Sequence, residues 1–283
     1  MNTRKIEEKI FVLIMALSTG VVLCSLLLLL WTVFTKGFSS LTIEMITQAP
    51  KGGYYLGKAG GILNAILGSL YLAGGAVVLA LVLSLPIAIY LNMYLKKKSR
   101  FAEATRFSLD VLLGVPSIVY GAFGFSLMIL LGLKTSLLAG IITVALLILP
   151  MMIRSMDEGF KMIPCEIIVA SLALGATRLE TALKVVVRQG LPVILTAVLI
   201  AFGRAIGDAA SVLFTAGFTD QIPTSLTRPA ATLPLAIFFQ LGTPFPEVQQ
   251  RGYAAALLLT AIVLVVSLLT RAITKRFTKN VIR

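Results

Sequence analysis

The sequence predicts an all-α membrane protein with six transmembrane helices, and three observations carry this prediction. The 283 residues are 58% hydrophobic with a mean hydropathy of +0.98, which is more apolar than soluble domains are. Six apolar runs are each long enough to cross about 30 Å of hydrocarbon at about 1.5 Å per residue. The charged residues make up only 13% of the chain and lie mostly between these runs.

The predicted spans form one transmembrane domain over residues 1–283. They lie at 10–34, 63–94, 108–132, 136–153, 191–218 and 252–274. The stretch 155–190 is too polar to cross a bilayer, and its apolar residues recur every three or four positions. This spacing predicts two short helices, separated at Gly175. The stretch 219–251 contains five prolines, which argue against one long helix there.

The distribution of lysine and arginine predicts the orientation of the chain. Eighteen of these residues fall on one side of the predicted spans and six on the other, and Arg204 is the remaining one. Because cytoplasmic loops carry the excess, both termini and the 155–190 loop are expected in the cytoplasm and 219–251 outside. The same distribution accounts for the net charge of +13 without a nucleic-acid partner.

Several kinds of chemistry find no support in the residue types. The chain has no histidine, and its two cysteines, Cys24 and Cys165, have no metal-binding or disulfide spacing. We therefore expect no catalytic residues, metal or cofactor. The segment Gly52–Lys58, followed by Ala59, approaches a phosphate-binding loop but lacks the final hydroxyl. Any ATP-derived energy must then come from a partner.

Two charges near the middle of the fifth predicted span form the first candidate site. Arg204 and Asp208 are the only charged residues in 191–218, and a charge at bilayer depth costs roughly 2.5–3.5 kcal/mol. Their i, i+4 spacing predicts a pair on one helix face, and Gly203 and Gly207 flank them with GxxxG spacing. The first hypothesis is an anion pathway. The alternative is a structural ion pair that holds two helices together.

Within that hypothesis Arg204 contacts the anion, because its guanidinium donates two parallel hydrogen bonds and stays charged. Asp208 balances the charge of Arg204 when the site is empty. Ser211 and Thr215 follow at i+7 and i+11 on the same predicted face, where their hydroxyls can contact the anion. Hydrogen bonding back to helix carbonyls is the alternative role for both hydroxyls.

Two further residues are weaker candidates for anion contacts. Ser117 follows Gly114 and Pro116 in the third predicted span, where a proline bend can expose polar groups to a cavity. A bend needed only for packing is the alternative. Arg154 and Asp110 lie near cytoplasmic span ends, where snorkelling or a surface ion pair explains both adequately. Arg154 is also a possible contact on the exit path.

The cytoplasmic stretch reads VASLALGATRLETALKVVVRQGLP and resembles the EAA loop of ABC importer permeases. Ala170 and Gly175 match that pattern, Ser171 replaces an alanine, and Val169 stands where the family has glutamate. The resemblance implies that Ala170, Ser171, Leu174 and Gly175 contact an ATPase subunit. An interfacial helix on the lipid surface is the alternative.

Four blocks extend the resemblance over most of the chain. They are LLGVPSIVYG at 112–121, ILPMMIRSMDEGF at 148–160, GRAIGDAASVLFTAG at 203–217 and ATLPLAIFFQ at 231–240. Together they resemble the PstA family, permease subunits of ABC-type phosphate importers, which usually have glutamate in the position of Asp208. The resemblance implies a type I ABC importer permease fold and a multi-pass location in a prokaryotic plasma membrane.

The same resemblance implies phosphate as the substrate and a set of partners. These are a second homologous permease (PstC-like), two copies of an ATP-binding subunit (PstB-like) and an external phosphate-binding protein (PstS-like). A permease for another oxyanion, molybdate or sulfate, is the first alternative. A passive anion channel is the second, although a channel does not need the helix–Gly–helix loop.

Overall fold

The computed structural model describes residues 3–51, 60–96 and 99–278. Within these ranges the chain is helical and forms no strand. The helices are α1 (Thr3–Phe38), α2 (Ile43–Thr47), α3 (Leu63–Ile89), α4 (Arg100–Leu113), α5 (Ser117–Leu130), α6 (Leu137–Lys161), α7 (Cys165–Ala173), α8 (Arg178–Glu180), α9 (Val187–Gly207), α10 (Leu233–Leu241) and α11 (Pro246–Thr278). The predicted all-α class is confirmed.

Two π-helical stretches lengthen these elements. Tyr90–Tyr94 continues α3, and Thr181–Val186 joins α8 to α9. The results are continuous rods, Leu63–Tyr94 of 32 residues and Arg178–Gly207 of 30 residues. The first rod coincides with the predicted span 63–94.

The described residues contain five rods long and apolar enough to cross a membrane. A sixth crossing exists if α4 and α5 are counted as one span, and their axes differ by 101°. The third predicted span, 108–132, is therefore not a single helix, and the bend expected beside Pro116 is a complete break between α4 and α5. Pro116 explains the break, because proline lacks the amide hydrogen for helix bonding and disfavours helical backbone at the preceding residue.

The fifth predicted span, 191–218, is also wrong at its outer end, since α9 stops at Gly207. Asp208 has extended backbone, with φ −83° and ψ 123°. Its carboxylate Oδ2 accepts a hydrogen bond of 2.8 Å from the backbone N–H of Ser211. This local bond competes with helix continuation, and residues 210–216 form turns instead.

The core lies where α3, α6 and α9 pack together. Along α6, Ile148, Met152, Met156 and Phe160 recur every four residues, and each is at most 3% exposed. This stripe carries α6 past the predicted end at residue 153, to Lys161. It buries one continuous face of the helix against α3 and α9, which makes α6 the central element of the fold.

The first helix lies at the periphery and packs chiefly on α11. The two helices approach closely at Gly37, where a Cβ atom would lie 2.6 Å from the carbonyl oxygen of Tyr253. The rest of α1 presents apolar side chains outward, with Val21 68% and Trp31 66% exposed. A soluble protein does not leave so large an apolar surface in water, which agrees with a multi-pass membrane protein.

Candidate functional site

Two helix ends lie part-way along the length of the bundle instead of near either end of it. Helix α5 begins at Ser117 after the break, and Pro116 provides no side-chain cap for it. Helix α9 ends at Gly207. The first N–H groups of a helix have no acceptor within the helix, and broken helices at membrane depth are where transporters bind ions and substrates.

Contacts with α6 give the depth of the α5 end. Gly124 of α5 packs directly on the side chain of Thr143, which lies six residues, or about 9 Å, from the start of α6 at Leu137. Ser117 precedes Gly124 by seven residues, or about 10 Å. Counted along the helices, Ser117 therefore lies about 20 Å from the N-terminal end of α6 at Leu137.

The same count places Arg204 at a similar depth. Gly159 packs on Val193 of α9 and lies 22 residues, or about 33 Å, from Leu137. Arg204 lies 11 residues after Val193 on α9, or about 16 Å back toward the level of Leu137, the N-terminal end of α6. Arg204 and the α5 end are thus both near the middle of the bundle.

A glycine contact joins the two ends. A Cβ atom at Gly121 of α5 would lie 2.8 Å from the carbonyl oxygen of Ala210 and 3.0 Å from that of Ser211. Only glycine permits this approach. Ser117 is one helical turn before Gly121 on the same face, and Asp208 is bonded to Ser211. The structure therefore brings Ser117, Asp208 and Ser211 into one region.

Arg204 does not pair with Asp208, so the predicted i, i+4 ion pair is wrong. Helix α9 ends between the two residues, and the Asp208 carboxylate turns to the N–H of Ser211. Arg204 is exposed and has neither a hydrogen bond nor an ion pair with any other described residue. Its guanidinium is left available for an anion.

The hydroxyls of Ser211 and Thr215 are both fully buried, but not on a continuation of α9. Thr215 Oγ1 donates to the carbonyl oxygen of Ser211 at 3.1 Å, so Thr215 takes the alternative, local role. Ser211 Oγ has no partner in the part of the chain that the structure describes. A buried polar group without a partner costs about 1–3 kcal/mol, which makes Ser211 the hydroxyl that a ligand would satisfy.

The glycines beside Arg204 leave one face of α9 open. No atom of the described residues lies within 4 Å of a Cβ built at Gly203 or at Gly207. Among the helices that the structure describes, none therefore uses the predicted GxxxG approach.

Near the other end of α6, Arg154 is surrounded by carboxylates. Its guanidinium lies 3.0 Å from Asp110, 3.0 Å from Glu158 and 3.4 Å from Asp157. This is the ion pair expected as the alternative to an exit-path contact. An anion at Arg154 would have to compete with these three acids, so its role in the exit path stays a prediction.

Sequence reasoning missed Asp157, which is fully buried. Arg106 of α4 donates two hydrogen bonds of 2.9 Å to its carboxylate. Lys161 Nζ lies 2.8 Å away, and Asn92 Nδ2 donates at 3.0 Å. The prediction ended the fourth span at residue 153 and so placed Asp157 in a loop. The every-fourth-residue stripe of α6 was the signal that would have kept it in the helix.

The loop between α6 and α9 has the predicted helix–Gly–helix form. Gly175 has φ +85° and follows α7, none of whose residues is buried. Leu174 is 89% exposed, and Ala170 is also exposed. Ser171 Oγ lies 2.9 Å from Thr181 Oγ1, which ties α7 back to the rod. An apolar helix is thus presented beside the bundle. The loop-like segment Gly52–Lys58 lies outside the described residues.

Comparisons with known proteins agree with this arrangement. The family described as "Binding-protein-dependent transport system inner membrane component" matches residues 84–283. The phosphate transport system permease protein PstA of Yersinia pestis is 36% identical over 92% of this chain and 88% of its own length. PstA of Haemophilus influenzae is 32% identical over 95% of this chain and 94% of its own length.

A solved structure shows the same fold. It is a chain of the MetNI methionine ABC transporter in an inward-facing conformation. The TM-score is 0.59 at 19% identity, and the match covers 76% of this chain and 95% of that one. The predicted ABC importer permease fold is confirmed.

Proposed function

Because the chain belongs to the family of binding-protein-dependent transport system inner membrane components, we propose that it is a permease subunit of an ATP-driven phosphate importer. Similarity to PstA proteins over more than nine-tenths of the chain carries this proposal. The chain forms half of the translocation pathway, with both termini in the cytoplasm. It has no enzymatic activity of its own.

Phosphate suits the groups gathered at the broken helix ends. It carries one to two negative charges near neutral pH and offers several acceptor oxygens. The unpaired Arg204 guanidinium matches two of them. The N-terminus of α5 at Ser117 favours a negative charge through its free N–H groups and the helix dipole. Ser211 Oγ supplies a hydroxyl that has no hydrogen-bond partner among the described residues.

Asp208 balances the positive charge of Arg204 from one helical turn away. The Asp208 carboxylate accepts a hydrogen bond from the Ser211 N–H and does not pair with Arg204. It therefore lowers the free-energy cost of an unliganded charge at Arg204, and the guanidinium keeps its hydrogen-bond donors for the anion. It also accepts a hydrogen bond from a protonated phosphate. Of the predicted contacts, Thr215 is the least favoured, because its hydroxyl is already bonded.

The partners fit two surfaces that this chain leaves uncovered. The face of α9 at Gly203 and Gly207 receives a helix of a second homologous permease, since small residues let backbones approach closely. The exposed α7 with Leu174 docks on an ATP-binding subunit as a helix in a groove. An external phosphate-binding protein delivers the substrate.

The function is tested by phosphate uptake into vesicles that contain the complete complex with its binding protein. We expect uptake that requires ATP and survives a large excess of sulfate or molybdate. The chain reconstituted alone should take up none. Uptake driven by another oxyanion would assign that substrate instead, and ATP-independent uptake by the chain alone would identify a passive channel.

Replacing Ser211 with alanine tests the buried hydroxyl. Since Ser211 Oγ has no partner in the described part of the empty protein, its removal should leave complex yield unchanged and should preserve or raise thermal stability. Uptake should fall about 5- to 10-fold, the value of one hydrogen bond of about 1 kcal/mol or slightly more. Thr215→Val is the matched control, because it removes a bonded hydroxyl and should lower stability more than uptake. The role of Ser211 is rejected if Ser211→Ala lowers stability and leaves uptake unchanged.

A further inference from the structure

A buried carboxylate links three helices at the cytoplasmic side of the bundle. Asp157 of α6 accepts hydrogen bonds from Arg106 of α4 and from Asn92 of the π-helical end of α3. On its own helix it also lies 2.8 Å from Lys161 and 3.4 Å from Arg154. We call these five residues the Asp157 cluster. The paired Arg106 geometry fixes the orientation of α4 as well as its distance from α6.

The Asp157 cluster lies one turn from the end of α6 that leads to α7. Only residues 162–164 separate the two helices. The end of α6 is also packed tightly on α9, since Gly159 meets Val193 and a Cβ at Gly190 would clash with the ring of Phe160. A displacement of α7 therefore displaces the end of α6 as well, because the connection is short and packed interiors transmit strain.

On its other side the cluster leads to the broken helix end. Helix α4 ends at Leu113, and α5 begins at Ser117 after three intervening residues. Apart from its ion pairs, α4 is held by a small apolar cluster in which Ala102 and Leu109 are its buried members. Its Phe101 and Phe107 are 63% and 70% exposed. The Asp157–Arg106 contact is therefore the most directional contact between α4 and the core.

We propose that Asp157 and Arg106 are positioning residues that connect the ATPase-facing helix α7 to the anion site. Through them a movement of α6 is passed to α4, and then across the Gly114–Pro116 break to the N-terminus of α5. This inference rests on the proposed importer function. It assigns to the pair the coupling of ATP hydrolysis to phosphate movement and not contact with phosphate.

The test is the number of phosphate ions moved per ATP hydrolysed by the complete reconstituted complex. In Asp157→Asn, we expect assembly and ATP hydrolysis to persist while this ratio falls about 10-fold, within the range that single changes along such a connection produce. Arg106→Gln should lower the ratio similarly. The double variant should lower it no further, because both changes break one connection. Arg106→Lys keeps the charge but loses the fork and should give an intermediate ratio.

Glu158→Gln is the matched control. Glu158 neighbours Asp157 and pairs with Arg154 and Lys161. Its side chain is 54% exposed, and it forms no hydrogen bond or ion pair with a described residue of α4, although its charge is near enough to act on Arg106. Its ratio should equal that of the wild type. If Asp157→Asn does not assemble, Arg106→Gln decides the question, since Arg106 is partly exposed.

The two proposals fail in different ways. A wild-type complex that moves no phosphate overturns the proposed function, and the inference with it. A wild-type complex that moves phosphate, with variants of unchanged ratio, overturns the inference alone. A parallel loss of uptake and ATP hydrolysis, with the ratio preserved, also overturns it, because that result indicates only a structural role.

Discussion

Replacing Arg204 with glutamine is expected to lower phosphate uptake by about 100-fold, because a hydrogen bond to a charged group contributes up to about 3 kcal/mol. The assembled complex should form in normal yield. Arg204 has no partner among the described residues, so its replacement breaks no contact seen within this chain. The measurement is ATP-dependent uptake alongside the yield of purified complex.

Three companion variants sharpen this prediction. Arg204→Lys should rescue uptake poorly, since an ammonium cannot form the bidentate fork. Asp208→Asn keeps an acceptor for the Ser211 N–H but removes the countercharge, so phosphate should bind more tightly and leave more slowly. Asp208→Glu should be tolerated. Arg271→Gln, at an exposed arginine near the end of α11, is the control and should behave as wild type.

The opposing interpretation is a structural ion pair. It expects either single change to reduce assembly, and it expects the swap Arg204→Asp with Asp208→Arg to restore both assembly and transport. Because the two side chains do not meet in the structure, we expect the swap to remain inactive. Restoration of uptake by the swap would reject the anion-site account.

Replacing Gly175 with valine should uncouple ATP hydrolysis from phosphate uptake. Gly175 has φ +85°, and a β-branched residue in this conformation is strained by about 1–3 kcal/mol. No atom in the part of the chain that the structure describes lies within 4 Å of a Cβ at this position, so the effect comes from the backbone and not from a clash. A re-aimed α7 should reduce uptake at least about 10-fold, corresponding to strain of about 1.4 kcal/mol or more, while ATP hydrolysis continues.

Two controls separate backbone conformation from side-chain size. Asparagine tolerates the left-handed region, so Gly175→Asn should retain much of the uptake. Gly20→Val adds the same side chain in α1, where a Cβ also meets no atom within 4 Å and the backbone is helical. It should leave uptake unchanged. A Gly175→Val complex that pumps at the normal rate would show that the turn does not set the coupling geometry.

Hydropathy predicted where the chain crosses the membrane but not where its helices break. The rod Leu63–Tyr94 was predicted closely because a long apolar run is sufficient to identify it. The end of α6 was missed because charged residues after Ile153 ended the apolar run, although Met156 and Phe160 continued the buried stripe. Average hydropathy depends on all residues in a window, whereas α6 continues as long as one of its faces is buried.

The site was predicted in part for the same reason. The cost of an intramembrane charge singled out Arg204 and Asp208, but their pairing assumed an unbroken helix. The carboxylate of Asp208 instead bonds to the N–H of Ser211, a competition between side chain and backbone that periodicity does not reveal. The contact between Gly121 and Ser211 is tertiary, and no local pattern of one sequence predicts it.

The most direct test of the account is a structure of the complete complex trapped with phosphate inside the membrane by a non-hydrolysable ATP analogue. We expect phosphate within hydrogen-bond distance of the Arg204 guanidinium, facing the first turn of α5 at Ser117, with Ser211 Oγ turned toward it. Phosphate bound at Arg154, or anywhere else in the pathway with Arg204 and the α5 end both empty, would contradict the account.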